Sequence, residues 1–250
     1  VTLISITTLD YQATRKSIQK CKSVAKFGKI IVFTDKPKEF PDIETVLIPT
    51  MQDKKEYAIH ELKTVPKHWR FFNDFTLNIQ WDSWIVNPEA WTDRFFDYDY
   101  IGAVWKDGTV GNDGFCLMSK KMWKILDDLQ IPSTVGNCYP SDCVICKTSF
   151  RREEDDTIVK GYRKKLEQAR CKFAPPEIAD RFSVENTPYN GSFGFHGISV
   201  LADLYRKGII ENTKYEKPYE ANQTKTFSHY GDLGDLIYTM PAIKAMGGGK

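Results

Sequence analysis

Three groups of side chains in this sequence have types and spacings that could do chemistry. The first is Asp82, two residues after Gln80 in Gln80-Trp81-Asp82, where an apolar run ends. A carboxylate at the end of a strand in an open α/β sheet lies at the edge where ligands bind. The second is His196, flanked by Gly194 and Gly197, whose imidazole nitrogen could swing toward a metal held by Asp82. The third is the run Glu154-Asp155-Asp156, in which mutual repulsion could raise one carboxyl toward the range of a useful base. Asp82 alone is a weak signal, and a single histidine also fits a solvated or core position. The acidic run also fits a solvated helix start, since acids near a helix N-terminus are favoured by the dipole.

Cysteines offer a fourth possibility. Cys143 and Cys146 form a C-x-x-C, with Cys138 before and Cys171 after, which could supply four thiolates to zinc. Paired knuckles are absent and Pro140 lies within the segment, so reduced and mostly buried thiols are the preferred reading.

The elements that must position these residues alternate from the start. Leu3-Ile4-Ser5-Ile6 is a β-rich run, Tyr11 to Phe27 is helix-length, and Lys29 to Asp35 is a continuous apolar run closed by Lys36-Pro37. Continuous apolar strands imply a sheet covered on both faces, and strand, helix, strand at this spacing is a βαβ unit. Glu44 to Pro49 supplies a third strand, the stretch from Met51 to Trp69 reads as helix broken by Pro66, and Phe75 to Gln80 is a fourth strand. The aromatics between Trp81 and Trp105 read as packing. Phe115 to Met118 is a short strand, Lys120 to Leu129 a helix, and Ser149 to Lys172 a charge-rich helical region. Asn190 to Gly197 reads as a Gly- and aromatic-rich loop, followed by a helix from Ile198 to Arg206 that ends at Gly208. The expected organisation is one α/β domain over residues 1–210, a polar linker over 211–225, and the start of a second unit at 226–250.

Composition narrows the function classes. At 250 residues the chain can bury a core that needs no staple. Lys and Arg number 35 against 33 Asp and Glu, a net charge of +2, so nothing marks a nucleic-acid binder. No run of 18 apolar residues and no basic leader is present, so no membrane span is expected and a cytoplasmic protein is the default.

Several strings are similar to a known family. Leu77-Asn78-Ile79-Gln80-Trp81-Asp82-Ser83, Asp99-Tyr100-Ile101-Gly102-Ala103-Val104-Trp105, Val110-Gly111-Asn112-Asp113-Gly114-Phe115-Cys116-Leu117 and Phe195-His196-Gly197 resemble the DUF5672 family of GT-A-like glycosyltransferases, over roughly residues 50 to 200. The tail differs. His229-Tyr230-Gly231-Asp232-Leu233-Gly234-Asp235-Leu236 with Pro241-Ala242-Ile243 resembles the opening of heptosyltransferases of the GT-B type.

The first resemblance implies a GT-A-like, single Rossmann-type α/β fold with a mostly parallel mixed sheet flanked by helices. It also implies a nucleotide-diphosphate sugar donor whose base lies near Thr7, Thr8, Thr34 and Asp35, and whose diphosphate lies near Gln80, Asp82 and Ser83. Asn112, Asp113 and Gly114 match the segment lining the sugar pocket, where the family pattern has Gly at the position of Asp113. The usual metal motif is Asp-x-Asp, so Gln80 replaces one anionic ligand by an amide. Mn²⁺ or Mg²⁺ on Asp82 and His196 remains chemically reasonable, with weaker affinity. In inverting members an acidic motif before a helix deprotonates the acceptor, which makes Asp155 the implied base and Asp156 its neighbour. The acceptor would be a glycan or lipid-linked glycan. Inverting transfer is the leading reading, and three alternatives stay open: retaining transfer, a sugar-nucleotide or glycan-binding domain without turnover, which the Gln80 departure favours, and a metal-dependent phosphoester hydrolase, which normally needs a richer His/Asp set.

Overall fold

The computed structural model describes residues 1–131, 140–151 and 156–211. The linker and second-unit expectations for 211–225 and 226–250 therefore fall, apart from Glu211, outside the described residues, as do Glu154 and Asp155.

The chain opens with β1 (Thr2–Thr7), α1 (Tyr11–Val24), β2 (Lys29–Thr34) and β3 (Glu44–Leu47), then α2 (Lys54–Ile59). A π-helical turn (His60–Thr64) and a 3-10 turn (Pro66–Phe71) lead into β4 (Phe75–Ile79) and β5 (Ser83–Ile85). Next come β6 (Tyr100–Ile101), β7 (Ala103–Val104), β8 (Val110–Gly111), β9 (Phe115–Ser119) and α3 (Lys120–Leu129). After these follow α4 (Ser141–Cys146), β10 (Ser149–Arg151), β11 (Ile158–Lys160), α5 (Arg163–Gln168), α6 (Pro176–Phe182), β12 (Ser183–Glu185), β13 (Gly194–His196) and α7 (Ile198–Arg206).

The main sheet has the order β3-β2-β1-β4-β9-β6. β3, β2, β1 and β4 are parallel, and β9 lies antiparallel between β4 and β6. This is the mostly parallel α/β sheet that the alternating pattern predicts. All six residues of β1 are buried, as a strand covered on both faces requires. Because β9 runs against β4, Phe115 at its start pairs with Ile79 at the end of β4. The turn at 112–114 is thereby delivered to the same sheet edge as the turn at 80–82.

A smaller sheet, β12-β13-β5, completes that edge. Its inner side is aromatic: Trp84 meets Phe195 edge-on at 4.8 Å, and Phe95 meets Trp91 at 5.3 Å and Phe182 at 5.2 Å. Such offset rings add to the area they bury, so these side chains of the aromatic stretch act as packing.

Two segments differ from the sequence reading. Ser149 to Lys172 is not one helical region: β10 and β11 pair antiparallel before α5 begins. Phe150 is buried between exposed Ser149 and Arg151, a period of two that suits a strand despite the surrounding charge. Likewise Gly194 to His196, read as loop, is a strand in which glycine lets the Phe115 ring lie against the backbone, since a Cβ at Gly194 would come within 2.1 Å of it.

Gly102, between β6 and β7, shows how tightly the site edge is packed: a Cβ there would sit 1.7 Å from the Gly111 carbonyl oxygen. The neighbour is backbone and cannot rotate away. Gly102→Ala is expected to destabilise the chain by about 3 kcal/mol, at the upper end of ordinary overpacking. Urea unfolding checks this, and a loss within error of zero contradicts the close approach.

Candidate functional site

At the carboxyl edge of β4 lies a cavity of 290 Å³ with Gln80, Asp82, Asp113, Asp142, Glu185 and His196 in its wall. Strand register explains the convergence. His196 pairs with Ser83 across β13 and β5, which sets it beside Asp82, and with Glu185 across β12 and β13, which sets a carboxylate on its other side. Ser83 ties the two turns together: its hydroxyl donates to the Gly114 carbonyl at 2.6 Å and accepts the Gln80 N–H at 2.9 Å. From α1, Ser17 donates to the Trp81 carbonyl at 2.6 Å.

The imidazole is held on both nitrogens. Nδ1 donates to Glu185 Oε1 at 2.8 Å, and the Asn112 amide nitrogen, 2.8 Å from Nδ1, donates to the same carboxylate. Nε2 lies 3.3 Å from Gln80 Oε1 and 3.5 Å from Asp82 Oδ1. Burial alone would push the His196 pKa down, but the charges of Asp82, Glu185 and Asp113 and the Glu185 hydrogen bond outweigh it and raise it to about 10. Burial likewise opposes the Glu185 carboxylate, yet His196, Asn112 and Trp105 bond to it and hold its pKa below the ordinary value.

The glycine- and aromatic-rich strings turn out to build this corner. Asn112 takes a left-handed φ of 73° and its Oδ1 accepts the Phe115 N–H at 3.1 Å, which turns the chain into β9. Tyr100, fully buried, donates to the Asn112 carbonyl at 2.7 Å. Trp105 lies on Gly111, where a Cβ would come within 1.9 Å of the indole. At Gly114 a Cβ would lie 2.2 Å from the His196 ring, so only glycine admits the imidazole.

The donor residues read from the sequence separate into two sets. Gln80, Asp82 and Asp113 line the cavity, while Ser83, Asn112 and Gly114 form its frame. Thr7, Thr8, Thr34 and Asp35 stand at or just beyond the carboxyl ends of β1 and β2, outside the cavity lining. There Thr8 accepts the Met51 N–H at 3.0 Å, Thr34 accepts the Lys36 N–H at 3.2 Å, and Asp35 accepts from Tyr11 and Thr50. Asp156 is exposed, with a φ of 59°, and pairs with Arg151. Cys143 and Cys146 lie on α4 with their thiols pushed up by burial, and Cys138 lies outside the described residues.

Sequence reasoning missed Glu185, Asp142, Ser141, Glu61 and Tyr57. Glu61 sits on the π-helical turn, a deviation common at functional sites, and is 1 % exposed. Ser141 bridges it to Asp113, lying in hydrogen-bond contact with Glu61 Oε2 and 2.7 Å from Asp113 Oδ2. Asp142, in the first turn of α4, is 8 % exposed. Pro140-Ser141-Asp142 is a helix-start signal that could have been found. Glu185 had none, since its role depends on strand register.

Burial, then the charge and hydrogen bond of Asp113, push the Glu61 carboxyl well above its usual range, with Ser141 opposing. Stability from such a raised carboxyl is fully present below its ordinary value and is lost as pH rises toward the folded value. Glu61→Gln keeps the shape and both partners while removing that loss. Its melting temperature relative to wild type is therefore expected to rise from about pH 5 to about pH 8. A difference that does not change with pH contradicts a proton held at Glu61.

No curated protein matches the sequence. Among solved structures, the bifunctional IspDF from Campylobacter jejuni is 14% identical at a TM-score of 0.31, covering 54% of this chain, which spans only 46% of that one. A glycosyltransferase involved in glycosylation of the major capsid of PBCV-1 is 12% identical at 0.42, covering 84% of this chain and 98% of that one. The mannosyltransferase PcManGT from Pyrobaculum calidifontis, solved with GDP-Man and Mn²⁺, is 11% identical at 0.44, covering 100% of this chain and 75% of that one. Identities and TM-scores this low carry no weight for function. Residues 42–196, by contrast, match the family described as "Protein of unknown function (DUF5672)", well over half of the chain, and the chain belongs to that family.

Proposed function

We propose that this chain is a GT-A-like glycosyltransferase that moves a sugar from a nucleotide-diphosphate sugar to a glycan hydroxyl with inversion. The observation that carries this reading is the convergence of Asp82 Oδ1 and Gln80 Oε1 on His196 Nε2 at the carboxyl edge of a parallel strand. Glycine at position 114 opens the space beside them. The residues fit a divalent cation in part: a carboxylate and an amide oxygen suit Mn²⁺ or Mg²⁺, and His196 has the Glu185 carboxylate on its far nitrogen, the arrangement that orients metal-bound imidazoles. Among the described residues no group of three or more His, Cys, Asp or Glu side chains is arranged to hold a metal, so water oxygens would have to complete the shell, exchanged for phosphate oxygens when a donor binds. A bound cation would supply Lewis-acid stabilisation of the departing diphosphate.

This chain's own residues do the rest. As the sugar C1–O bond to the diphosphate breaks, the acceptor oxygen forms the new bond to C1 and gives up its proton. In this reading Asp142 takes that proton, because it is the carboxylate of the cavity wall that lies on a helix start and outside the Gln80, Asp82 and His196 trio. Burial first, then Asp113 and Glu185, raise its pKa above the usual carboxylate value, which strengthens it as a base only in its ionised form, so transfer requires that Asp142 first give up its proton. Asp155, the base implied by the family resemblance, remains the competing assignment. The nucleoside lies toward Thr7, Thr8, Thr34 and Asp35 in the same reading.

One observation favours binding without turnover instead. Carboxylates stand at both nitrogens of His196, Asp82 at 3.5 Å and Glu185 at 2.8 Å, and their charges outweigh burial and favour its protonated form, so a cation there competes with a proton.

The test is a thermal-shift screen against UDP-, GDP-, dTDP- and CMP-sugars with and without Mn²⁺, followed by a transfer assay. One nucleotide class at about a hundredfold its dissociation constant should stabilise by about 2.7 kcal/mol, and Asp82→Ala should abolish the effect. Asp142→Asn should keep the shift but lose about 10²- to 10⁴-fold in turnover, while Asp155→Asn keeps activity. Loss confined to Asp155→Asn moves the base there. A donor shift without transfer to any acceptor supports the binding-only reading, and no shift with any nucleotide sugar sinks the donor site.

A further inference from the structure

Resting on the cation-and-diphosphate reading of this cavity, we infer that Asp113 is a positioning residue. With Tyr57 it holds the nitrogen of the Gln80 amide, so that the Gln80 carbonyl oxygen is presented beside Asp82 and His196 as a neutral donor to a divalent cation.

The orientation of a glutamine amide is decided by its partners. Gln80 Nε2 lies 3.0 Å from the Tyr57 hydroxyl and 3.4 Å from Asp113 Oδ1. A carboxylate oxygen accepts only, and reversing the amide would set the Gln80 carbonyl against it. The nitrogen therefore belongs on the Asp113 side, and Oε1 falls on the other, 3.3 Å from His196 Nε2. That nitrogen is itself 3.5 Å from Asp82 Oδ1, so the amide oxygen joins the two ligands already assigned.

Asp113 is not free to turn away from this task. Its second oxygen lies 2.7 Å from Ser141 Oγ, and Ser141 is anchored in turn on buried Glu61. Three separate parts of the chain, the π-helical turn, the 112–114 turn and the start of α4, thus converge behind one amide. A glutamine left to rotate would present nitrogen as readily as oxygen, and would lose rotamer freedom when a cation fixed it. Held in advance, it offers oxygen at no such cost. The chain thereby uses a neutral residue where a carboxylate would need no orienting, since both ends of a carboxylate are oxygen.

That difference supplies the test. Mn²⁺ alone is titrated into the full chain and followed by the electron paramagnetic resonance of the free ion, for wild type, Asp113→Asn, Gln80→Glu and the double variant. Asp113→Asn, whose amide can donate to Gln80 and turn it round, is expected to weaken Mn²⁺ binding about tenfold, as loss of outer-shell partners does. In the Gln80→Glu background the same change is expected to leave affinity unchanged or higher. An equal loss in both backgrounds means that Asp113 is merely structural and overturns the inference. A metal-free readout separates it from the functional reading it rests on. The Gln80 side-chain amide protons, assigned as the NMR signals missing in Gln80→Glu, should exchange slowly in wild type and faster in Asp113→Asn. Unprotected protons in wild type overturn the positioning whatever the metal does. Protected protons without any Mn²⁺ binding overturn the cation reading, and with it the role inferred for the held oxygen.

Discussion

His196 can stand where it does only because residue 114 has no side chain. A Cβ there would lie 2.2 Å from the ring, closer than any real contact, and the neighbouring backbone is fixed by Ser83 and Asn112. The rest of the corner follows from this close approach. With the imidazole seated over the 112–114 turn, one nitrogen meets the β12 carboxylate and the other meets the end of β4. A larger residue at 114 would move the ring off both. The bulk that surrounds the turn, from Tyr100, Trp105 and Phe115, serves to keep a piece of bare backbone in place beneath a charged ring.

Electrostatics set the second constraint. Asp82, Glu185 and His196 have side chains only 6 %, 11 % and 16 % exposed, and buried charges are tolerated when paired. The pairing is lopsided, since Asp82, Asp113, Asp142 and Glu185 share the cavity wall with one imidazole and the lysines Lys54 and Lys147. Burial first, and then the neighbouring negative charge, pushes the Glu61 and Asp142 carboxyls toward the neutral form, while the carboxylates around His196 outweigh burial and push it toward the charged one. Such divergent pKa values within one cavity are a common mark of a functional site. His196 also bounds stability from above: its contribution is full below about 6.5 and is lost as pH rises through about 10.

Local pattern made much of the fold legible. β1, α1, β2, β3, β4, β9, α3 and α7 announce themselves through apolar runs, helix-length periodicity and the Gly208 stop, because each is decided by residues adjacent in the chain. Asp82 and His196 are legible for the same reason, standing at a strand end and between glycines, while Gln80 and Asp113 stand out only through the family resemblance. Hidden were the features that depend on register and distant packing. Nothing local marks Glu185 as the partner of His196, since that follows from which strand lies next to β13. Glu61 looks like an ordinary helix-surface acid and is buried only because α4 and the 112–114 turn close over it. The β10 and β11 pair was obscured by charges that stand on its exposed sides.

The central claim is that the point beside Asp82, Gln80 and His196 receives the charged part of a nucleotide-diphosphate sugar together with a divalent cation. Crystals of the full chain grown with Mn²⁺ and the donor picked out by binding would show this directly by anomalous diffraction at the manganese edge. The account predicts an anomalous peak within coordination distance of Asp82 Oδ1 and His196 Nε2, with the diphosphate completing the shell. A diphosphate bound elsewhere on the chain, or manganese held at a site that excludes both Asp82 and His196, would contradict it.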